Sequence, residues 1–159
     1  MTNQPTDVDD VVLAATDDNE TPGIYDLFET DAAAEEDGRW FENFFGQGID
    51  GAVKLRGLLC NAAVQARQRL DTRYSKYMKN GVYPREIQEK MHAELLAEAV
   101  LVDWRGTVFR DRGGKPIEYS KAAAKVLLSS MKHFRSRITL AANNIDAFRV
   151  EATEDAVKN

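Results

Sequence analysis

The chain has 159 residues, 43% of them apolar and 30% charged, with a formal net charge of −5 and a single cysteine, Cys60. That length suits one compact domain with a modest core, and one cysteine excludes an internal disulfide and leaves a cysteine-based zinc site with only one ligand of its kind. With no run of about 18 apolar residues and no basic start leading into an apolar stretch, neither a membrane span nor a secretory signal is expected, and the protein should stay soluble in a reducing cell compartment.

The net charge conceals an asymmetry. Residues 1–38 hold twelve Asp or Glu and no Lys or Arg, so they carry −12; fourteen acids and all twenty-one bases fall in residues 39–159, which carry +7. Acidic and small residues alternate without a sustained period over residues 1–22, which reads as a disordered acidic arm. Its first role is solubility, with screening of a basic face on the body as the alternative. The ordered domain is expected over 23–150, with a frayed tail over 151–159.

After Gly23, the segments "IYDLFETD", "GRWFENFF" and "GAVKLRG" are separated by turn-forming glycines and aspartates, which predicts a small β-meander, although "DAAAEED" suits a helical turn equally well. Four helices are predicted next. Leu55, Leu59, Ala62, Ala66, Leu70, Tyr74 and Tyr77 recur at steps of three or four and define one face of the first, which Asn80 and Gly81 end. Pro84 opens a second over about 85–102, with Ile87, Met91, Leu95 and Val102 on one stripe widened by Leu96 and Ala99. Ser120 is the expected N-cap of "KAAAKVLLSS", whose Ala123, Val126 and Leu127 form an apolar patch. The last helix, about 131–149, aligns Phe134, Ile138, Ala141, Ile145 and Phe148. The pattern predicts a helix-dominated α+β fold.

No catalytic, cofactor or metal site assembles from these residues. A phosphate-binding loop at "FRDRGGKP" would need a glycine where Phe109 stands and a hydroxyl where Pro116 stands. Gly113 and Gly114 read instead as a tight turn, and Trp104 as a plug between helix and loop. Glu89 and His92 have the i, i+3 spacing of carboxylate-bridged di-iron bundles, but the only other histidine, His133, has Ser130 three places before it, so the second pair is missing. Cys60 has no adjacent histidine or second thiol and suits a small buried role. Glu94 and Glu98, one turn apart, read as a solvated helix face. Arg67, Arg69, Arg73, Lys76 and Lys79 cluster on one helix and suit nucleic-acid phosphates or plain solvation, while Tyr74 and Tyr77 fall on the apolar stripe rather than on a base-stacking face.

The order of "LFETDAAAEEDGRW", "VKLRGLLCNAAVQARQRL", "LLAEAVLVDWRGTVFRDRGGKPIEYSKAAAKVLL" and "ITLAANNIDAF" resembles a family of tail assembly chaperones encoded by long-tailed bacteriophages. The resemblance spans about residues 26–148. Its most specific part is Asp103-Trp104 at a helix end, then Gly114-Lys115-Pro116-Ile117, then Tyr119-Ser120. The chain departs from that family in bringing Arg110 and Arg112 to a turn that is often acidic there, and in its longer acidic arm.

The resemblance implies a non-enzymatic protein of the host cell cytoplasm. It would bind the tape-measure protein before the tail tube polymerises, self-associate, and engage tail-tube subunits through a longer frameshifted form. Two alternatives stay open: a small nucleic-acid-binding protein with an autoinhibitory acidic arm, and a head-to-tail connector.

Overall fold

The computed structural model describes residues 21–150; the expected disorder of the arm falls, save for Thr21 and Pro22, outside the described residues, as does the tail at 151–159. The fold is helix-rich α+β, as the sequence predicts. Helices α1 (Ile24–Phe28) and α2 (Ala32–Asp37) precede strands β1 (Arg39–Phe41) and β2 (Ala52–Leu55). Helices α3 (Asn61–Tyr74) and α4 (Arg85–Leu95) form a hairpin, after which come β3 (Leu101–Arg105), α5 (Lys121–Ser130) and α6 (Lys132–Ala142). The three strands make one antiparallel sheet in the order β1-β2-β3.

The sheet is therefore a meander, but not the one predicted. "IYDLF" is helical rather than extended, because Asp26 accepts a hydrogen bond from the Gly23 amide at 2.9 Å and caps the turn. The third strand instead comes from "LVDWR", which the sequence pattern assigned to the end of a helix. Between α4 and β3 the chain runs through a π-helical turn, Leu96–Val100, whose Leu96, Ala97, Ala99 and Val100 are buried. The wider turn absorbs a residue and releases Leu101 into extended backbone beside Leu55.

The helix boundaries shift for local reasons. Leu55 belongs to β2, and α3 starts only after Cys60, whose buried Sγ accepts from the Ala63 amide at 3.4 Å. The buried face of α3 is then Ala63, Ala66, Leu70 and Tyr74; Leu59 and Tyr77 are exposed. Asn80 (φ 52°) and Gly81 (φ 77°) do more than stop a helix: they form a two-residue turn closed by paired hydrogen bonds between Lys79 and Val82. Ser120 caps α5 through the Ala123 amide at 3.0 Å, as predicted. The last predicted helix divides at Asn143-Asn144, where Asn144 caps a separate 3₁₀ turn, Ile145–Phe148, that returns Phe148 to the interior.

Trp104 fills the space between sheet and loop. Its ring stacks on Phe109 at 4.7 Å and meets Tyr119 edge-on at 5.1 Å, while Nε1 donates to the Ile117 carbonyl at 2.8 Å. The stretch from 106 to 120 is thus a shaped turn. Asp111 accepts from the amides of Gly113 and Lys115, and Gly114, at φ 83°, takes the left-handed position; Gly113 does not. Where β2 begins and β3 ends, Gly51 and Gly106 approach so closely that a Cβ on Gly106 would lie 2.5 Å from the Gly51 Cα.

A polar knot joins the helices. Glu94 of α4 is 2% exposed, yet Tyr74 donates to it at 2.6 Å, Arg73 at 3.0 Å, and Lys125 of α5 reaches it at 3.0 Å. Burial alone would raise the Glu94 pKa; the hydrogen bonds from Tyr74, Lys125 and Arg73 outweigh it and hold the carboxyl below its usual range. Burial and the same carboxylate push the Tyr74 hydroxyl up to about 12.

Two outcomes are expected. Trp104→Ala should cost about 3–5 kcal/mol in denaturant unfolding, a large part of a small domain's stability, and wild-type melting of that variant would assign Trp104 to a surface role. Glu94→Gln should lower stability by about 1–3 kcal/mol through lost charge-assisted hydrogen bonds. Because the folded Glu94 pKa is lowered, its stabilisation is present above the unfolded value near 4.5 and is lost as pH falls through the folded one. Urea titrations from pH 6 downward should therefore show a shallower acid limb for Glu94→Gln than for the wild type.

Candidate functional site

The most developed surface feature is an aromatic cleft between the 106–120 turn and the α5–α6 junction. Phe45, Val108, Phe109, Ile117, Leu127, Met131 and Phe134 line a cavity of about 280 Å³, with Arg110 at its edge. Each wall has a local cause. Phe45 follows β1 in a turn, where it meets Phe44 edge-on at 5.0 Å, Phe109 at 5.4 Å and the stacked Phe134 ring at 6.3 Å. The hydrogen bond from the Ile117 amide to the Phe109 carbonyl, 2.9 Å, closes the turn and sets both side chains on the cleft. Met131 caps the gap between α5 and α6 and remains 43% exposed. Arg137 lies over the Phe44 ring at 5.3 Å, adding a cation to the same face. Chemically, this is a recess for apolar side chains beside positive charge. It holds no nucleophile and no acid–base pair.

The residues singled out in the sequence are dispersed by the fold. Phe109, where a phosphate loop would need glycine, is part of the cleft. Glu89 pairs with Arg85 at 3.2 Å and faces Arg135 at 3.9 Å, while His92 points to Thr139 at 2.8 Å. Since the Thr139 hydroxyl donates to the Arg135 carbonyl, it accepts from His92, which places the imidazole proton on Nε2. Burial, then the charges of Arg135 and Arg67, lowers the His92 pKa and keeps the ring neutral. Ser130 bonds back to the Val126 carbonyl, away from any histidine pair. No group of three or more His, Cys, Asp or Glu suited to a metal occurs among the described residues.

Glu94 and Glu98 do not form a solvated face. Glu94 is buried in the knot, and Glu98 meets Arg73 at 3.5 Å and Arg69 at 3.8 Å. Two of the five cations of the expected basic helix are thereby neutralised, while Lys76 lies over the Tyr77 ring. Of the apolar residues whose exposure the sequence left open, Val64 and Met78 face solvent, Leu58 is partly buried, and Leu96 is fully enclosed. The cleft itself was missed because its rings come from three distant segments. The only sequence signal was the pair Phe44-Phe45 outside any strand period.

A second recess of about 260 Å³ lies between α3 and α4, lined by Leu70, Tyr83, Met91, His92 and Leu95 among others. Apolar residues also stand out on α1, where Ile24, Tyr25 and Phe28 are exposed. Among the described residues, no helix is long and apolar enough to cross a membrane.

Residues 61–159 match the family model of the YdaY prophage protein. No curated protein and no solved structure matches the chain. The matched span runs from the first residue of α3 through the cleft's α5 and α6 walls, well over half of the sequence, so the chain is phage-derived and belongs to the YdaY prophage protein family.

Proposed function

We propose that this chain is a phage tail assembly chaperone that holds the tape-measure protein soluble until the tail tube polymerises around it. The observation that carries the reading is the aromatic cleft, a solvent-open apolar recess on a small helical body of phage origin. A long helical rod with apolar stripes collects in solution unless those stripes are covered, and a groove that takes the apolar face of one helical segment provides such cover. Exposed Val126 and Leu140 on α5 and α6 extend the apolar surface near that wall. The proposed role is non-enzymatic and belongs in the host cytoplasm, with many copies along one client and tail-tube contacts left to a longer form.

The nucleic-acid alternative draws less support. Arg69 and Arg73, the middle of its basic helix, are engaged by Glu98 and Glu94.

Co-expression with the tape-measure protein of the same phage genome tests the reading. The client should appear in the soluble fraction with the wild-type chain and sediment with it as one complex. Met131→Asp, which places a charge at the cleft mouth, should lower the soluble client about tenfold or more without changing the melting of the chaperone. A client equally soluble with and without this chain, and no complex on sedimentation, would remove the proposal.

A further inference from the structure

The positive charge of the folded part is concentrated around the cleft. Residues 105–145 carry nine Lys or Arg against two Asp or Glu, a net +7. Arg105, Lys125 and Arg135 face Glu42, Glu94 and Glu89. Arg110, Arg112, Lys115, Lys121 and Lys132 are exposed, and no acid of the described residues pairs with them. Arg110 edges the cleft and Lys132 adjoins Met131 at its mouth. The recess thus combines an aromatic floor with a cationic rim. Its volume falls just below the roughly 300–1,000 Å³ of small-molecule sites, and Arg110 is the only charged residue lining it, so it suits a few apolar side chains of a peptide better than a cofactor.

The sequence holds a segment of complementary pattern. Residues 7–18, "DVDDVVLAATDD", place Val11, Val12 and Leu13 between Asp9 and Asp10 on one side and Asp17 and Asp18 on the other. We propose that this segment of the same chain is the resident occupant of the cleft, with its aliphatic centre on the aromatic floor and its aspartates on the cationic rim, so that a client binds by displacing it. The inference rests on the proposed function only for the identity of the displacing client.

Reach and energetics fit. Eleven residues separate Val12 from Gly23, an extended span of about 36–40 Å, and a body of about 130 residues is roughly 36 Å across. A tethered segment acts at an effective concentration of about 1 mM, so even a weak individual affinity keeps it bound much of the time. The other apolar surface, around α1 and the 3₁₀ turn, is a poorer match for an acidic segment. There Arg39 faces Asp31 and Arg149 binds Asp146 at 3.0 Å.

Hydrogen exchange of the full-length chain, read by mass spectrometry without any client, tests the inference. Compared with a variant carrying Val11→Ser, Val12→Ser and Leu13→Ser, the wild type should exchange about threefold or more slowly across residues 108–117 and 127–134, and 0.5 M NaCl should narrow the difference. Met131→Asp should abolish the same protection while leaving exchange in α3 and α4 unchanged. Equal exchange in wild type and triple variant overturns the proposal, as does protection that falls on residues 24–28 instead. Protection that grows with protein concentration also overturns it, since a second copy would then supply the segment. A chain that shows the expected protection but captures no tape-measure protein keeps this inference and loses the proposed function; the reverse pattern does the opposite.

Discussion

The structure depends on one buried carboxylate. Glu94 lies where α3, α4 and α5 meet, and an ionised group withdrawn from water there would cost several kcal/mol unless its oxygens were fully matched. They are: one takes the Tyr74 hydroxyl and the Lys125 ammonium, the other the Arg73 guanidinium. An apolar residue at this position would have allowed the helices to slide along one another. A carboxylate with directional donors on two neighbouring helices fixes both their separation and their rotation. That fixes α5, and with α5 comes Leu127, one wall of the cleft. The arrangement trades some stability for a defined register, because only one relative placement of the helices satisfies every donor.

Helical periodicity reveals most of the fold because α3, α4, α5 and α6 each bury one face, and a 3.6-residue stripe survives in the sequence wherever that is so. It fails where the same stripe is produced by different backbone. Leu55 lies in register with Leu59 and Ala62 only by arithmetic; it is a strand residue paired with Leu101. The run from Leu95 to Val102 stays apolar on every side, so neither helix nor strand periodicity distinguishes the π turn from β3. The α1 segment carries aromatic and β-branched residues that favour strands, and a single aspartate reaching back to Gly23 decides otherwise.

The cleft was illegible for another reason. Phe45, Phe109 and Phe134 are separated by some sixty and then twenty-five residues, and nothing local to any of them specifies the meeting. The same holds for Gly51 and Gly106, whose need for hydrogen in place of a side chain arises only when two chain segments cross. By contrast, the absence of an assembled catalytic pattern in the sequence and the dispersal of Glu89, His92 and Cys60 to separate tasks agree, since each of these residues has a partner that explains it without a ligand.

The interrupted meander has a consequence for how the chain leaves the ribosome. Strands β1 and β2 are complete once Leu55 has been made, but β3 starts only at Leu101. At about 5–20 residues per second, synthesis of the intervening hairpin takes roughly 2–9 s. Throughout that interval the inner edge of β2, with the apolar Val53 and Leu55, has no partner strand. The nascent protein is therefore briefly in the same condition as an uncovered apolar rod, and rapid local formation of the α3–α4 hairpin is what shortens its exposure.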